Sequence, residues 1–286
     1  MASHKIALVT DSTCDLPEAL REQHALHVVP LSIIWGGEQL REGVDIQAEE
    51  FYRRLVADPM YPTTSQPTPQ DFLTAYTQAQ AEGAEEIVVI TISSAMSGTL
   101  ESARLAASMT DVPVHLVDSK TNSMGLGWQV LAAARAREAG GDVAAMIAAA
   151  EAARSRMVYL IVLDTLTYLH KGGRIGGASR FIGTLLNLKP QIYVNHQTGE
   201  VEAGRRTRTR QKALETVYQD FFAQLDTSKP LRIAVLHNAA LPEAEQIAER
   251  IQQEFSPKEL IIHIVSPVLG VHTGPRAIAL CGYTEG

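Results

Sequence analysis

The 286-residue chain reads as an α/β protein of two domains. The N-terminal domain, residues 1–160, is predicted to be a three-layer α/β/α unit around a largely parallel sheet. The C-terminal domain, residues 161–286, is predicted to be α+β. Three observations carry this. The length is more than one ordinary core organises and suits one large or two medium domains. The first half alternates short β-rich runs with helical periods, the pattern of strands joined by crossover helices. The second half breaks that rhythm with a glycine-punctuated stretch and a hairpin pattern.

In the first half, strands are expected at Ile6–Thr10, His27–Ile34, Ile87–Ile92, Val114–Asp118 and Tyr159–Leu163. Helices are expected at Pro17–His24, Ala48–Ala57, Thr68–Glu82, Ser97–Ser108, Met124–Glu138 and Val143–Arg156. Pro17 after Asp15 and Pro69 after Thr68 are helix-start signals, because proline tolerates the first helical turn. In the second half, Tyr168–Asn187 reads as a glycine loop and a helix. A hairpin follows, Gln191–Asn195 and Val201–Arg206, turning at Gln197-Thr198-Gly199-Glu200. Then come a helix at Thr209–Leu225, a βαβ-like unit (Arg232–His237, Pro242–Phe255, Leu260–Val265) and a last strand at Ala277–Tyr283.

Composition excludes several classes. Hydrophobic residues are 45% and charged residues 20%, a globular balance. Net charge is −7, from 25 basic and 32 acidic residues, which argues against binding nucleic acid or anionic membrane by bulk charge. No apolar run approaches the roughly 18 residues of a membrane-spanning helix. The start at Met1 runs directly into the first strand, without a signal-peptide core. The cysteines, Cys14 and Cys281, make no disulfide framework, so a reducing cytoplasm is the expected compartment. There is no HExxH, Walker loop, GxGxxG or GxSxG, and the nine histidines lack metal-like spacing.

What chemistry there is gathers at strand ends. Strands run into Asp11-Ser12-Thr13, Ser93-Ser94-Ala95-Met96-Ser97-Gly98-Thr99, Asp118-Ser119-Lys120-Thr121 and Asp164-Thr165. Ligands of open parallel sheets bind beyond the carboxyl ends of the strands. Fresh helix starts there offer unpaired N–H groups suited to an anion. Ser97-Gly98-Thr99 is the best candidate, with two hydroxyls around a glycine that permits close approach. The plain alternative is that each Ser, Thr or Asp only caps a helix. Thr64 and Ser65, in Tyr61-Pro62-Thr63-Thr64-Ser65-Gln66-Pro67, are held by flanking prolines, or else form a stiff connector. Arg174 stands among four glycines in Lys171-Gly172-Gly173-Arg174-Ile175-Gly176-Gly177, either an approachable cation for a carboxylate or phosphate or a hinge with a solvated charge. His272 lies between Gly270 and Gly274. A basic run, Arg205, Arg206, Arg208, Arg210 and Lys212, is a solvated strand end or a patch for an acidic partner.

These elements, in this order, resemble the DegV family of fatty-acid-binding proteins across nearly the whole chain. The residues that carry the likeness are Asp11-Ser12-Thr13-Cys14-Asp15-Leu16-Pro17, Thr64-Ser65-Gln66-Pro67, Ser97-Gly98-Thr99, Val117-Asp118-Ser119, Leu163-Asp164-Thr165-Leu166 with Gly172-Gly173-Arg174-Ile175, and His272-Thr273-Gly274-Pro275. The resemblance implies one long-chain fatty acid buried between two domains. It places the carboxylate at Thr64, Ser65, Ser97, Gly98, Thr99, Arg174 and His272. It also implies a lipid-presenting subunit that hands the carboxylate to a separate ATP-binding fatty acid kinase subunit, which forms an acyl phosphate. Arg208, Arg210 and Lys212 match the family's basic stretch and are expected to face that partner. The chain departs from the pattern at Gly176-Gly177 and at Arg205-Arg206. No cofactor is expected, since nothing in the chain resembles a site for ATP or Mg²⁺. The tail is expected in a tunnel built from ordinary core residues such as Ile33, Phe181, Ile182, Leu185, Leu188 and Ile278. Two other readings compete. One is a small-molecule hydrolase or transferase using Ser97 or Cys14 with His272. The other is a nucleic-acid regulator acting through the arginine cluster.

Overall fold

The computed structural model describes residues 6–184 and 188–286, with no side chains described at 181–184. The chain opens with β1 (Ile6–Asp11), a 3-10 turn at Ser12–Cys14, α1 (Glu18–Gln23) and β2 (Leu26–Val29). It continues with β3 (Ser32–Trp35), β4 (Glu38–Arg41), α2 (Ala48–Ala57) and β5 (Thr63–Ser65). Next come α3 (Pro69–Ala81), β6 (Glu86–Thr91), α4 (Thr99–Ala107), β7 (Val114–Asp118), α5 (Ser123–Glu138) and α6 (Val143–Ser155). The second half holds β8 (Met157–Val162), α7 (Thr167–Lys171), a 3-10 segment at Gly176–Thr184, β9 (Lys189–Val194), β10 (Val201–Thr207) and α8 (Arg210–Phe222). It ends with β11 (Leu231–His237), α9 (Leu241–Phe255), β12 (Glu259–Ile264), α10 (Pro267–Thr273) and β13 (Ile278–Thr284).

The fold is mixed α/β, as expected. A four-stranded sheet, β2-β1-β6-β7, is parallel throughout. Alternation gives it two apolar faces. Ala7, Val9, Ile87 and Val89 pack with Phe72 and Tyr76 of α3 and Ala103 and Ala106 of α4. Leu8, Val88 and Ile90 pack with Leu126 and Val130 of α5. α5 also meets the second sheet, where the Trp128 indole N–H donates to Cys281 O at 3.2 Å. That sheet has six strands in the order β10-β9-β8-β13-β11-β12, antiparallel except for β11 with β12. Its outer face is closed by α8 and α9 through Val217, Phe221, Ala244 and Ile251. Helix pairs and sheets therefore stack in alternating layers.

Four expectations change. The run His27–Ile34 is not one strand: β2 pairs with β1, while β3 pairs with β4 and β5 in a separate three-stranded sheet. Pro30 lies at the break, where a residue without an N–H cannot continue a ladder. β5 falls in the stretch read either as hydroxyls held by flanking prolines or as a stiff connector, where no strand was expected. The strand expected at Tyr159–Leu163 does not join the parallel sheet. It lies in β8, which pairs antiparallel with β13 along its whole length, so residue 160 falls inside a strand of the six-stranded sheet. Finally, α10 went unpredicted, because Val268-Leu269-Gly270-Val271 carries a mid-helix glycine that masks the helical period.

Candidate functional site

α10 starts with Pro267 at its first position and ends at Gly274, whose φ of +72° stops the helix. A side chain on Gly274 would run into the Tyr168 ring. The last turn therefore holds His272 in place, with its Nε2 3.0 Å from Thr64 Oγ1. Thr64 is fixed in turn by β5, where it stands opposite Ile33 of β3. Gly172, just after α7, packs against the other side of the imidazole, and a Cβ there would collide with His272 Nδ1. That nitrogen is buried and has no partner. Burial, reinforced by the nearby Arg174 charge, lowers the His272 pKa to about 4. The ring is thus neutral at pH 7, with one nitrogen donating and one accepting.

Thr64-Ser65-Gln66 and Ser97-Gly98-Thr99, distant in sequence, interlock here. Gln66 lies so close over Gly98 that a Cβ would collide with its amide, and its Nε2 donates to Ser102 Oγ in α4 at 3.1 Å. Gly98 occupies the N-cap position of α4, and the Ser97 and Thr99 hydroxyls bond each other at 2.8 Å. Arg174 is exposed and spans the gap. Its Nη1 donates to Gly172 O at 2.9 Å and its Nε to Met96 O at 3.3 Å. It makes no ion pair with a carboxylate among the described residues.

These groups edge a cavity of about 310 Å³, within the usual range for small-molecule sites. Thr64, Ser65, Ser97, Arg174 and His272 line it directly. Gly98 and Thr99 stand behind Ser97: Thr99 is fully buried, and neither reaches the wall. Much of the rest of the wall is apolar, with Ile161, Ile192, Val194, Val201 and Ala279 from the six-stranded sheet, Ala277 just before β13, and Ile92 and Leu269 from other elements. The two alanines leave room that larger side chains would fill.

Sequence reasoning missed several lining groups. Asn238 follows β11, and its Nδ2 donates to Thr273 Oγ1 at 2.7 Å and to Gly274 O at 2.6 Å, tying the end of α10 to the sheet. The strand-end rule that picked out Ser97 applies equally to His237-Asn238. Asn122 precedes α5, and its buried Oδ1 has no partner. Tyr159 is a buried phenol in the apolar wall.

The tail-wall expectation is largely displaced. Ile278 points to the outer core with Val217 and Ile233, because strand alternation gives the cavity face to its neighbours Ala277 and Ala279. Ile33 is buried beneath α2 and α10 with Trp35 and Phe51. Leu188 is half-buried and off the wall. Leu185 and the side chains of Phe181 and Ile182 lie outside the described residues.

Other strand-end clusters have structural work. Asp11 caps the 3-10 turn by accepting from Thr13 N at 3.0 Å, and it also accepts from Ile92 N at 2.7 Å, stitching β1 to the end of β6. Asp164 pairs with Lys189 Nζ at 2.6 Å. Among the described residues, no nucleophile–base–acid chain assembles. Burial pushes the Cys14 thiol up to about 12, and it faces a different cavity from His272. His272 bonds Thr64 rather than Ser97, with no carboxylate on its other nitrogen. Among the described residues, no group of His, Cys, Asp and Glu is arranged to hold a metal ion, and no helix is long and apolar enough to cross a membrane. In the basic stretch, Arg208 and Lys212 are exposed, while Arg210 is committed to Glu243 through bonds of 3.0 and 2.8 Å.

Fold and cavity define a mixed α/β protein with one site whose sheet wall is largely apolar and whose remaining lining mixes apolar and polar side chains with one exposed cation. The chain belongs to the DegV family: the family model described as "Uncharacterised protein, DegV family" matches residues 5–285. A DegV domain-containing protein of Streptomyces coelicolor is 36% identical over 280 residues, covering 97% of this chain and 98% of the relative. Among solved structures, a fatty-acid-binding DegV family protein from Thermus thermophilus is 35% identical with a TM-score of 0.91, covering 98% of this chain and 99% of that one. DegV of Bacillus subtilis, described as a fatty acid binding protein, is 30% identical with a TM-score of 0.89 and the same coverage.

Proposed function

We propose that this chain binds one long-chain fatty acid, with the tail along the Ile161–Ala279 wall and the carboxylate among Thr64, Ser65, Ser97, Arg174 and His272. The observation that carries this is the split lining of the cavity. A desolvated carboxylate needs paired donors, and the polar side offers hydroxyls, a neutral imidazole and a guanidinium without a carboxylate partner among the described residues. The apolar wall supplies affinity. About fifteen methylenes at roughly 0.8 kcal/mol each give a gross gain of about 12 kcal/mol, reduced by the costs of association and ordering. The fatty-acid-binding relatives support the ligand class.

The same reading makes the protein a carrier that presents its carboxylate to a separate ATP-dependent kinase subunit in the cytoplasm, for acyl phosphate formation. Arg174 is exposed, so the head group sits near solvent. The basic stretch lies at the same end of the six-stranded sheet: Thr207 pairs with Lys189 there, as Ile278 does with Val162 and His237, next to Asn238. Arg208 and Lys212 are the surface cations for such a partner, and Arg210 supports them through Glu243. Mass spectrometry of the denatured, purified protein should release a long-chain acid. A protein that is empty and also fails to take up added palmitate contradicts the reading.

A further inference from the structure

α10 carries His272 and Thr273, yet nothing in its own sequence caps its start. Ser266 stands at the N-cap position, but its hydroxyl makes no cap bond. Two carboxylates from the other half of the chain take that role. Ser266 N donates to Asp15 Oδ1 at 3.0 Å, and Val268 N donates to Glu42 Oε1 at 2.7 Å. Both acids are buried, with 4% exposure each. Each is pinned by a second donor. Ser12 Oγ reaches Glu42 Oε2 at 2.5 Å, and Ser123 Oγ donates to Asp15 Oδ2.

The rest of α10 is seated just as closely. Gly270 lies against Phe51 and Tyr52, where a Cβ would collide with both rings. Tyr61 Oη donates to Val271 O at 2.5 Å. Glu42 directly follows β4 and Thr64 lies in β5, and both strands pair with β3. One small sheet therefore grips both ends of a seven-residue helix, about 10 Å long. Burying two carboxylates to do what a serine hydroxyl could do is costly unless the position itself matters.

We infer that Asp15 and Glu42 are positioning residues for the head-group site: they set where α10 lies along its axis, and so hold His272 Nε2 on Thr64. Neither lines the cavity; both border a different one that reaches Ser266 and Pro267 at the start of α10. An axial shift of about 1 Å would break the His272–Thr64 bond, since hydrogen bonds weaken steeply beyond normal distance. The inference rests on the proposed carboxylate site at Thr64 and His272.

The test compares Glu42→Ala and Asp15→Ala with the amide variants Glu42→Gln and Asp15→Asn, which keep an acceptor oxygen. Palmitate affinity is measured by calorimetry, and the His272 ring is followed by ¹⁵N NMR in ligand-free protein. The alanine variants should bind palmitate on the order of tenfold more weakly and shift both ring nitrogen signals. The amide variants should restore both. In a His272→Ala background, the effect of Glu42→Ala on affinity should vanish, as coupled residues require. The inference is overturned if the alanine variants lower the melting temperature but leave affinity and ring signals at wild type, if the amides do not rescue, or if the loss persists in full without His272. If wild-type protein takes up no palmitate, the proposed function fails, and the ring signals alone still decide the positioning role.

Discussion

The polar side of the cavity and its apolar wall are built in opposite ways. The polar side is assembled from short segments that meet from four places in the chain: β5, the turn before α4, the glycine run after α7, and the end of α10. Each segment is held by specific contacts, such as Gln66 over Gly98 and Gly172 behind His272. Most of the apolar wall is one face of one sheet, set by strand alternation. In the proposed fatty acid site, specificity for the carboxylate would depend on a few precise contacts and affinity for the tail on volume. The two regions should respond to mutation differently.

The largest effect is expected at the wall. Ala279→Trp fills the space beside Ile161, and losing room for about three methylenes costs about 2.4 kcal/mol, on the order of fiftyfold in affinity. Calorimetric titration with palmitate should show that loss. Unchanged affinity would mean the tail lies elsewhere. Next comes the cation. Arg174→Met removes a charge-assisted contact worth about 2 kcal/mol, so binding of palmitate should fall on the order of thirtyfold. Binding of palmityl alcohol should hardly change, and an equal loss for both ligands would break the distinction between head and wall.

A third prediction concerns pH. Burial raises Asp11 to about 6 and both Asp15 and Glu42 to about 7. Each binds a proton more readily folded than unfolded, so its contribution to stability is present in acid and lost as pH rises from about 4 to about 7. Burial also lowers His196, His263 and His272 to about 4. Their contribution runs the other way: it is present above about 6.5 and lost as pH falls towards 4. The two sets oppose each other over nearly the same window. Glu42→Gln removes one acid, so from about pH 4.5 to about 6.5 its melting temperature should rise with pH relative to wild type. An unchanged difference between the two proteins across that range would contradict the raised carboxyl. The smallest effect is expected at Gly172→Ala, where the new methyl must displace the imidazole. Palmitate affinity should fall about fivefold with little change in melting temperature. A large drop in melting temperature at unchanged affinity would make this glycine a fold residue only.

The same contrast explains what was legible in the sequence. Polar residues and glycines in loops stand out against their neighbours, so Thr64, Ser65, Ser97, Arg174 and His272 could be singled out, and all five line the cavity. Gly98 and Thr99 belonged to the same motif but stand behind Ser97. Wall residues carry no such signal. Ile278 and Ala277 differ only in which way a strand turns them, and a one-residue error in facing sends the side chain to the opposite core. The helix over 267–273 was hidden by its own Gly270, which is small because Phe51 and Tyr52 occupy the space a side chain would need. β8 was read as a strand, but its partners were not legible, because pairing is settled by elements far along the chain.

A crystal structure of the protein with palmitate decides how one fatty acid lies in this cavity. It should show a single acid with its carboxylate within hydrogen-bond distance of Thr64 and His272 and its tail against Ala277 and Ala279. A carboxylate at the Tyr159 wall, or an acid bound outside the cavity, would contradict that placement.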